Sequence, residues 1–224
     1  MKPFRTKAIV LRRTNYGEAD RILQIITPEH GKLGVMAKGV RREKSKLAGG
    51  IELFSVVDIT LHPGKGNLTT LTSARLDTFF AHILDDYDTL QFGYFVLKDI
   101  GKAAEIVHEP VFFDLCVRAL TALNSPKVPL AITESWYRLQ MAILLGVGLN
   151  LSTDVDGEAL NVETNYRFDI AEMAFTPARG GTVTANHIKL LRLMSAQNPE
   201  VVAQVKGVEE LMAECLDVAR AAHE

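Results

Sequence analysis

Residues 38–46 read Lys-Gly-Val-Arg-Arg-Glu-Lys-Ser-Lys, five cations and one anion in nine positions. Ammonium and guanidinium groups at this density do one kind of chemistry well, the ionic capture of a polyanion. Further cations sit close by in sequence: Arg12, Arg13, Arg21, Lys32, Lys65 and Arg75. Residues 1–80 hold 14 Lys+Arg against 7 Asp+Glu, and the remaining 144 residues hold 11 against 20. The formal net charge of −2 hides this polarity. A basic front and an acidic back imply a polyanion at one end and a different partner at the other.

Catalytic signatures are nearly absent. The six histidines are scattered, with no pair at metal-ligand spacing. No Gly-x-Ser-x-Gly elbow occurs. Gly64-Lys65-Gly66 lacks the rest of a phosphate-binding loop and reads as a hairpin turn. Tyr94 and Lys98 stand four apart, as in some dehydrogenase sites, but no glycine-rich βα turn precedes them. Cys116 and Cys215 match no disulfide or zinc spacing, lie in apolar-periodic stretches and read as buried thiols of a reducing cytoplasm. The expectation is a non-enzyme without metal or cofactor.

Folded elements must position these cations. Nearly half of the residues are apolar, which argues for a folded chain with a real core. Lys2, Arg5 and Lys7 break the first apolar stretch, which argues against a secretory leader. The longest apolar run, Met141–Leu151, is interrupted by Gly146, Gly148 and Asn150 and is too short to span a bilayer, so no membrane association is expected.

Thr6–Thr14 and Asp20–Thr27 are rich in β-branched and aliphatic residues, with turn chemistry in Asn15-Tyr16-Gly17-Glu18 between them. Lys32–Lys38 alternates, with Leu33, Val35 and Ala37 on one face. Leu53, Val57, Ile59 and Leu61 share one face of a further strand, and a turn at residues 62–67 leads into Leu68–Ser73. Five strands in about 75 residues without a long helix predict a small closed barrel, because closure removes exposed edges.

From Asp77 the period becomes helical. Phe79, Phe80, Ile83 and Leu84 predict one helix, Phe92, Phe95, Val96 and Ile100 a second, and Val111, Leu115, Arg118 and Ala119 a third. Residues 124–129 break the chain. Thr133-Glu134-Ser135 then opens an amphipathic helix carrying Trp136, Leu139, Ile143, Leu144 and Val147, with Gly148 as its stop. A strand pair is expected around Tyr166–Ala174 and Thr182–Thr184, and two closing helices over Ala185–Gln197 and Gly207–Ala222. The domain boundary is expected at 75–82.

A Greek-key barrel is expected to gather its strand 3–4 connection and its 1–2 and 4–5 loops around one cleft, the usual seat of oligonucleotides. The cations assigned to nucleic-acid binding are Arg12, Arg13, Arg21, Lys38, Arg41, Arg42, Lys44, Lys46 and Lys65. The barrel offers only Phe4, Tyr16 and Phe54 as aromatic platforms, too few for binding dominated by stacking. It is expected to grip phosphate and to accept single or double strands.

The ordered strings Thr6-Lys7-Ala8-Ile9-Val10-Leu11, Tyr16-Gly17-Glu18-Ala19-Asp20-Arg21-Ile22-Leu23, Thr27-Pro28-Glu29-His30-Gly31-Lys32 and Ala37-Lys38-Gly39-Val40-Arg41-Arg42 with Ser45 resemble the amino-terminal domain of the RecO family. The resemblance implies an α+β chain: an N-terminal five-stranded OB-fold β-barrel over 1–80, then a mostly α-helical domain over 81–224 with a small zinc-less, strand-containing insertion at 150–184. Many members carry a four-cysteine zinc module there, whereas this stretch has no cysteine. Phe168, Ile170, Met173 and Phe175 are expected to pack it instead.

The resemblance further implies a DNA recombination and repair role in the cytoplasm, associated with the nucleoid. It implies binding of single- and double-stranded DNA, strand annealing, and work with RecR to load RecA onto strands coated by single-strand-binding protein. The acidic, apolar tail of that protein would need a hydrophobic pocket rimmed by cations, for which Lys98, Lys102, Arg118, Arg138, Lys189 and Arg192 are the candidates. An OB-fold adapter for RNA or the translation apparatus is the alternative.

Overall fold

The computed structural model describes residues 2–43, 45, 47–64, 68–106 and 110–223. The chain divides into two compact units, Met1–Asn124 and Ser125–Glu224.

The first unit begins with five strands: β1 (Phe4–Tyr16), β2 (Asp20–Thr27), β3 (Gly31–Ala37), β4 (Ser55–Pro63) and β5 (Leu68–Phe79). They close into a barrel of order β1-β2-β3-β5-β4, antiparallel except between β3 and β5, which is OB-fold topology. Period-2 alternation sends Ala8, Val10, Leu23, Ile25, Val35, Ala37, Val57, Ile59, Leu61 and Leu71 into the barrel core. Val40 and Ile51 join this core from the β3–β4 connection, which holds a 3₁₀ turn at Ala48–Gly50. β5 runs six residues beyond the expected Ser73, so Phe79 belongs to a strand, and Ala81–Leu84 forms only a 3₁₀ turn where a helix was expected.

Two helices complete the unit, α1 (Tyr87–Ile106) and α2 (Val111–Leu123). Both pack on the barrel, α1 on β1 and β3, α2 on β1 and β2. This explains why β1 and β2 read as nearly continuous apolar runs: Ile9, Leu11 and Ile26 point out of the barrel yet are buried. The strand-to-helix transition falls near 80 as the periodicity indicates, but the compact unit extends to Asn124 because α1 and α2 cover that outer apolar face.

The second unit holds α3 (Leu130–Leu144), β6 (Tyr166–Asp169), β7 (Ala174–Pro177), α4 (Ala185–Ala196), the short α5 (Pro199–Val202) and α6 (Val208–Ala221). Pro129 precedes α3, so the helix starts three residues before Thr133. It ends at Leu144, because Gly146 turns with φ +79°, and Val147 is left exposed. The strand pair is β6 with β7; Val183 adds only a single bridge to Tyr166. Tyr166, Ala174, Phe175 and Val183 are buried in this small module, with Phe168 tilted on Phe175 at 5.6 Å between ring centroids. Ile170, expected to pack, is exposed in the turn between the strands. Among the described residues no helix is long and apolar enough to cross a membrane.

Candidate nucleic-acid interface

Two connections meet at the end of the barrel where β1 finishes. Gly17 takes φ +54° in the β1–β2 turn and Gly39 takes φ +64° just after β3, conformations open to glycine without strain. The Asp20 carboxylate accepts the Gly39 N–H at 2.7 Å, and the Arg41 N–H donates to the Ala19 carbonyl at 2.9 Å. The Arg41 guanidinium reaches the Gly17 carbonyl at 3.2 Å. Val40, buried between exposed Lys38 and exposed Arg41, Arg42 and Glu43, anchors the run in the barrel core. The basic segment is therefore a pinned turn with its charges displayed outward.

Around it the other cations divide. Arg21 Nε donates to Asn15 Oδ1 at 3.2 Å at the base of the same turn. Arg12 is exposed on β1, opposite Gln24 of β2. Arg13 is engaged differently: its guanidinium pairs with Glu52 at 2.7 Å and is largely spoken for. Lys44, Lys46 and Lys65 lie outside the described residues.

The basic excess counted over residues 1–80 overstates the charge that faces a ligand. Lys32 is mostly buried, bonded to the Gly101 carbonyl at 2.8 Å and to the Glu105 carboxylate, which it holds below the usual carboxylate range. Arg75 pairs with Asp58 at 2.7 Å and lowers its pKa, and Lys7 pairs with Asp77 at 2.6 Å, whose hydrogen bond raises the lysine. On the outer face of β1, β4 and β5 the charges of Lys7 and Arg75 are thus met by carboxylates, while Arg5 is exposed beside them. Strand direction also separates loops expected around one cleft. β4 runs antiparallel to β1 with Leu61 opposite Phe4, so the β4–β5 connection leaves from the end where β1 begins. Among the described residues, hydrogen bonds join the β1–β2 and β3–β4 connections.

A second feature of this unit was not assembled from the sequence. Leu11, Arg12, Gln24, Tyr94, Lys98 and Lys102 line a groove of about 470 Å³ beside α1. Tyr94, Lys98 and Lys102 recur every four residues, the spacing of one helix face, and that was the available signal. Tyr94 is held edge-on by Phe54, with ring centroids 5.1 Å apart.

The remaining partner cations do not gather. Arg118 is exposed on α2. In the second unit Arg138 is mostly buried, donating to Glu134 at 3.0 Å and to the His223 carbonyl at 3.1 Å, so it ties helices together rather than rimming a pocket. Arg192 donates twice to the Leu151 carbonyl, at 2.8 and 2.6 Å, and fixes the loop before the strand pair. Lys189 is exposed and borders, with Lys206, a shallow hollow between α4 and the start of α6. Among the described residues no three His, Cys, Asp or Glu side chains cluster as metal ligands.

The barrel and its pinned basic turn now meet an independent observation: residues 1–80 match the family model described as the recombination protein O N terminal. These residues, a little over a third of the chain, are thus similar to the amino-terminal domain of the RecO family. The match ends one residue beyond β5, and residues 81–224 lie outside it. A RecO amino-terminal domain carries with it a role in DNA recombination and repair, with DNA and recombination proteins as partners. The OB-fold expected from the resemblance is the barrel observed.

Proposed function

We propose that this chain is a non-enzymatic, RecO-family recombination mediator of the nucleoid. It binds single- and double-stranded DNA, anneals complementary strands, and acts with RecR to help load RecA onto strands coated by single-strand-binding protein. One observation carries the reading: the turn holding Lys38, Arg41 and Arg42 is pinned to the β1–β2 turn by Asp20 and the Ala19 carbonyl, so its cations are presented rather than tethered loosely. Preset cations release counter-ions from any phosphate backbone without reading its sequence, which is what annealing of arbitrary strands requires.

We assign the acidic, apolar tail of single-strand-binding protein to the groove beside α1, where the half-exposed Tyr94 ring supplies apolar surface and Lys98 and Lys102 supply charge. Annealing of complementary oligonucleotides, with and without the cognate single-strand-binding protein, tests the reading. Accelerated annealing that persists on coated strands is the expected result. No acceleration, or strict preference for structured RNA, would replace it with the adapter reading.

A further inference from the structure

The groove and the basic turn lie on the same outer face of the barrel. In β1 the register slips between Val10 and Arg12, and this bulge places the consecutive residues Leu11 and Arg12 on the outer side. Beyond it, alternation keeps Thr14 and Tyr16 on that side, with Tyr16 55% exposed. Ile22 and Gln24 of β2, and Gly34 and Met36 of β3, stand beside them in register. Four residues of strand separate Tyr16 from Arg12, a rise of about 13 Å. Gly34 has no side chain to obstruct the strip.

One end of the strip is therefore Tyr16 beside the turn of Lys38, Arg41 and Arg42. The other end is Tyr94, 45% exposed, with Arg12, Lys98 and Lys102 around it. Three carboxylates border this surface: Glu105, already held by Lys32, Asp20, opposite Tyr16 and bonded to the Gly39 N–H, and Glu18, exposed in the β1–β2 turn. An exposed aromatic face at each end of a strip of mixed, uncharged side chains, with cations at both, is the arrangement that takes unpaired bases and their phosphates. A duplex could not offer base faces to either tyrosine.

We infer that a single strand held at the basic turn continues along the outer face of β1, β2 and β3 into the groove beside α1. Tyr16 and Tyr94 are its stacking platforms, and Arg12, Lys98 and Lys102 take its phosphates. The inference rests on the DNA-binding reading above and deepens it by naming the strand type and its path. It also makes the groove common ground: a strand reaching Tyr94 and an acidic tail seated on Lys98 and Lys102 exclude one another there.

The test uses the full chain and a photoreactive, halogenated-uracil single strand of about twelve nucleotides, within the site sizes of OB-folds. Mapped crosslinks are expected at both Tyr16 and Tyr94. Lys98→Glu with Lys102→Glu is expected to weaken this strand about tenfold at moderate salt while leaving a strand of about four nucleotides unaffected. Excess tail peptide of the cognate single-strand-binding protein is expected to remove the Tyr94 crosslink and keep the one at Tyr16. Crosslinks confined to Tyr16 and the basic turn, with wild-type affinity in the double variant, would overturn the path yet leave DNA binding intact. Peptide binding in the groove without any Tyr94 crosslink would mark the groove as a peptide site alone and equally overturn it. Loss of binding in Arg41→Glu with Arg42→Glu, for strands of either length, separates failure of the path from failure of the interface itself.

Discussion

The Asp20 carboxylate accepts the Gly39 backbone N–H at 2.7 Å, joining the first residue of β2 to the glycine that opens the β3–β4 connection. Because Gly39 holds φ +64°, Val40 can drop into the barrel core while Arg41 and Arg42 remain outside. One hydrogen bond and one left-handed glycine thus convert a basic run into a fixed surface.

Asp20→Ala removes a charged acceptor and leaves the Gly39 N–H without it. The expected cost is about 1–3 kcal/mol, read as a lower unfolding midpoint in denaturant. DNA binding is expected to weaken without a change in salt slope, since no phosphate-facing cation is removed.

Gly93 sits where α1 crosses Phe54. A Cβ there would stand 2.9 Å from the Phe54 ring and 3.2 Å from Ile83. Phe54 cannot yield easily, being buried, at φ +56° and edge-on to Tyr94. Gly93→Ala gains about 1 kcal/mol of helix propensity but is expected to destabilise by about 1–3 kcal/mol net through overpacking. Thermal unfolding checks the sign, and Tyr94 displacement should appear as a changed near-ultraviolet signal.

Most of the barrel was legible in the sequence, because half-buried strands show their period: Leu33, Val35 and Ala37 are inside as their alternation indicates. The boundary at Asn124 was less legible, since Ile9, Leu11 and Ile26 read equally well as core of a free barrel and as a seat for α1 and α2. Charge was the least legible property. Lys32, Arg75 and Arg13 look like their neighbours in sequence, yet carboxylates distant in the chain, Glu105, Asp58 and Glu52, already occupy them. Arg138 is likewise engaged, by Glu134 one helical turn away and by the distant His223 carbonyl. The groove was hidden because its walls come from segments some eighty residues apart, β1 and α1.

Glu134 of α3 is buried, and Arg220 of α6 grips both of its oxygens, at 2.8 and 3.0 Å, while Arg138 adds a third bond at 3.0 Å. Burial pushes this carboxyl up, but the Arg220 hydrogen bonds and the two guanidinium charges outweigh it and hold it below its ordinary value of 4.5. A depressed carboxylate stabilises the fold above its unfolded pKa, and that contribution is lost as pH falls through the folded value. Stability of the second unit should therefore drop below about pH 4.5. Glu134→Gln should flatten that acid limb, at a cost of about 3 kcal/mol at neutral pH from the uncompensated Arg138. Unfolding midpoints measured across the acid range check both.

Cys116 and Cys215 are buried, and burial pushes both thiols up to about 12, with Glu214 adding to the effect at Cys215. Neither offers a thiolate near neutral pH. A disulfide-exchange reagent is expected to titrate no thiol in the native chain and both after denaturation; rapid native reaction at either position would contradict the packing of α2 or α6.

The central claim is that the pinned turn after β3 grips phosphate, and the salt dependence of single-strand binding measures this most directly. Each neutralised phosphate of a single strand contributes about 0.7 to the log–log slope of affinity against salt. Wild-type chain and an Arg41→Glu, Arg42→Glu variant are titrated with one oligonucleotide across a salt series, with the variant's fold verified by unchanged unfolding. The expected result is a loss of affinity of roughly a hundredfold at low salt and a slope flatter by roughly 1.5. Equal affinity and equal slope in the two proteins would contradict the claim.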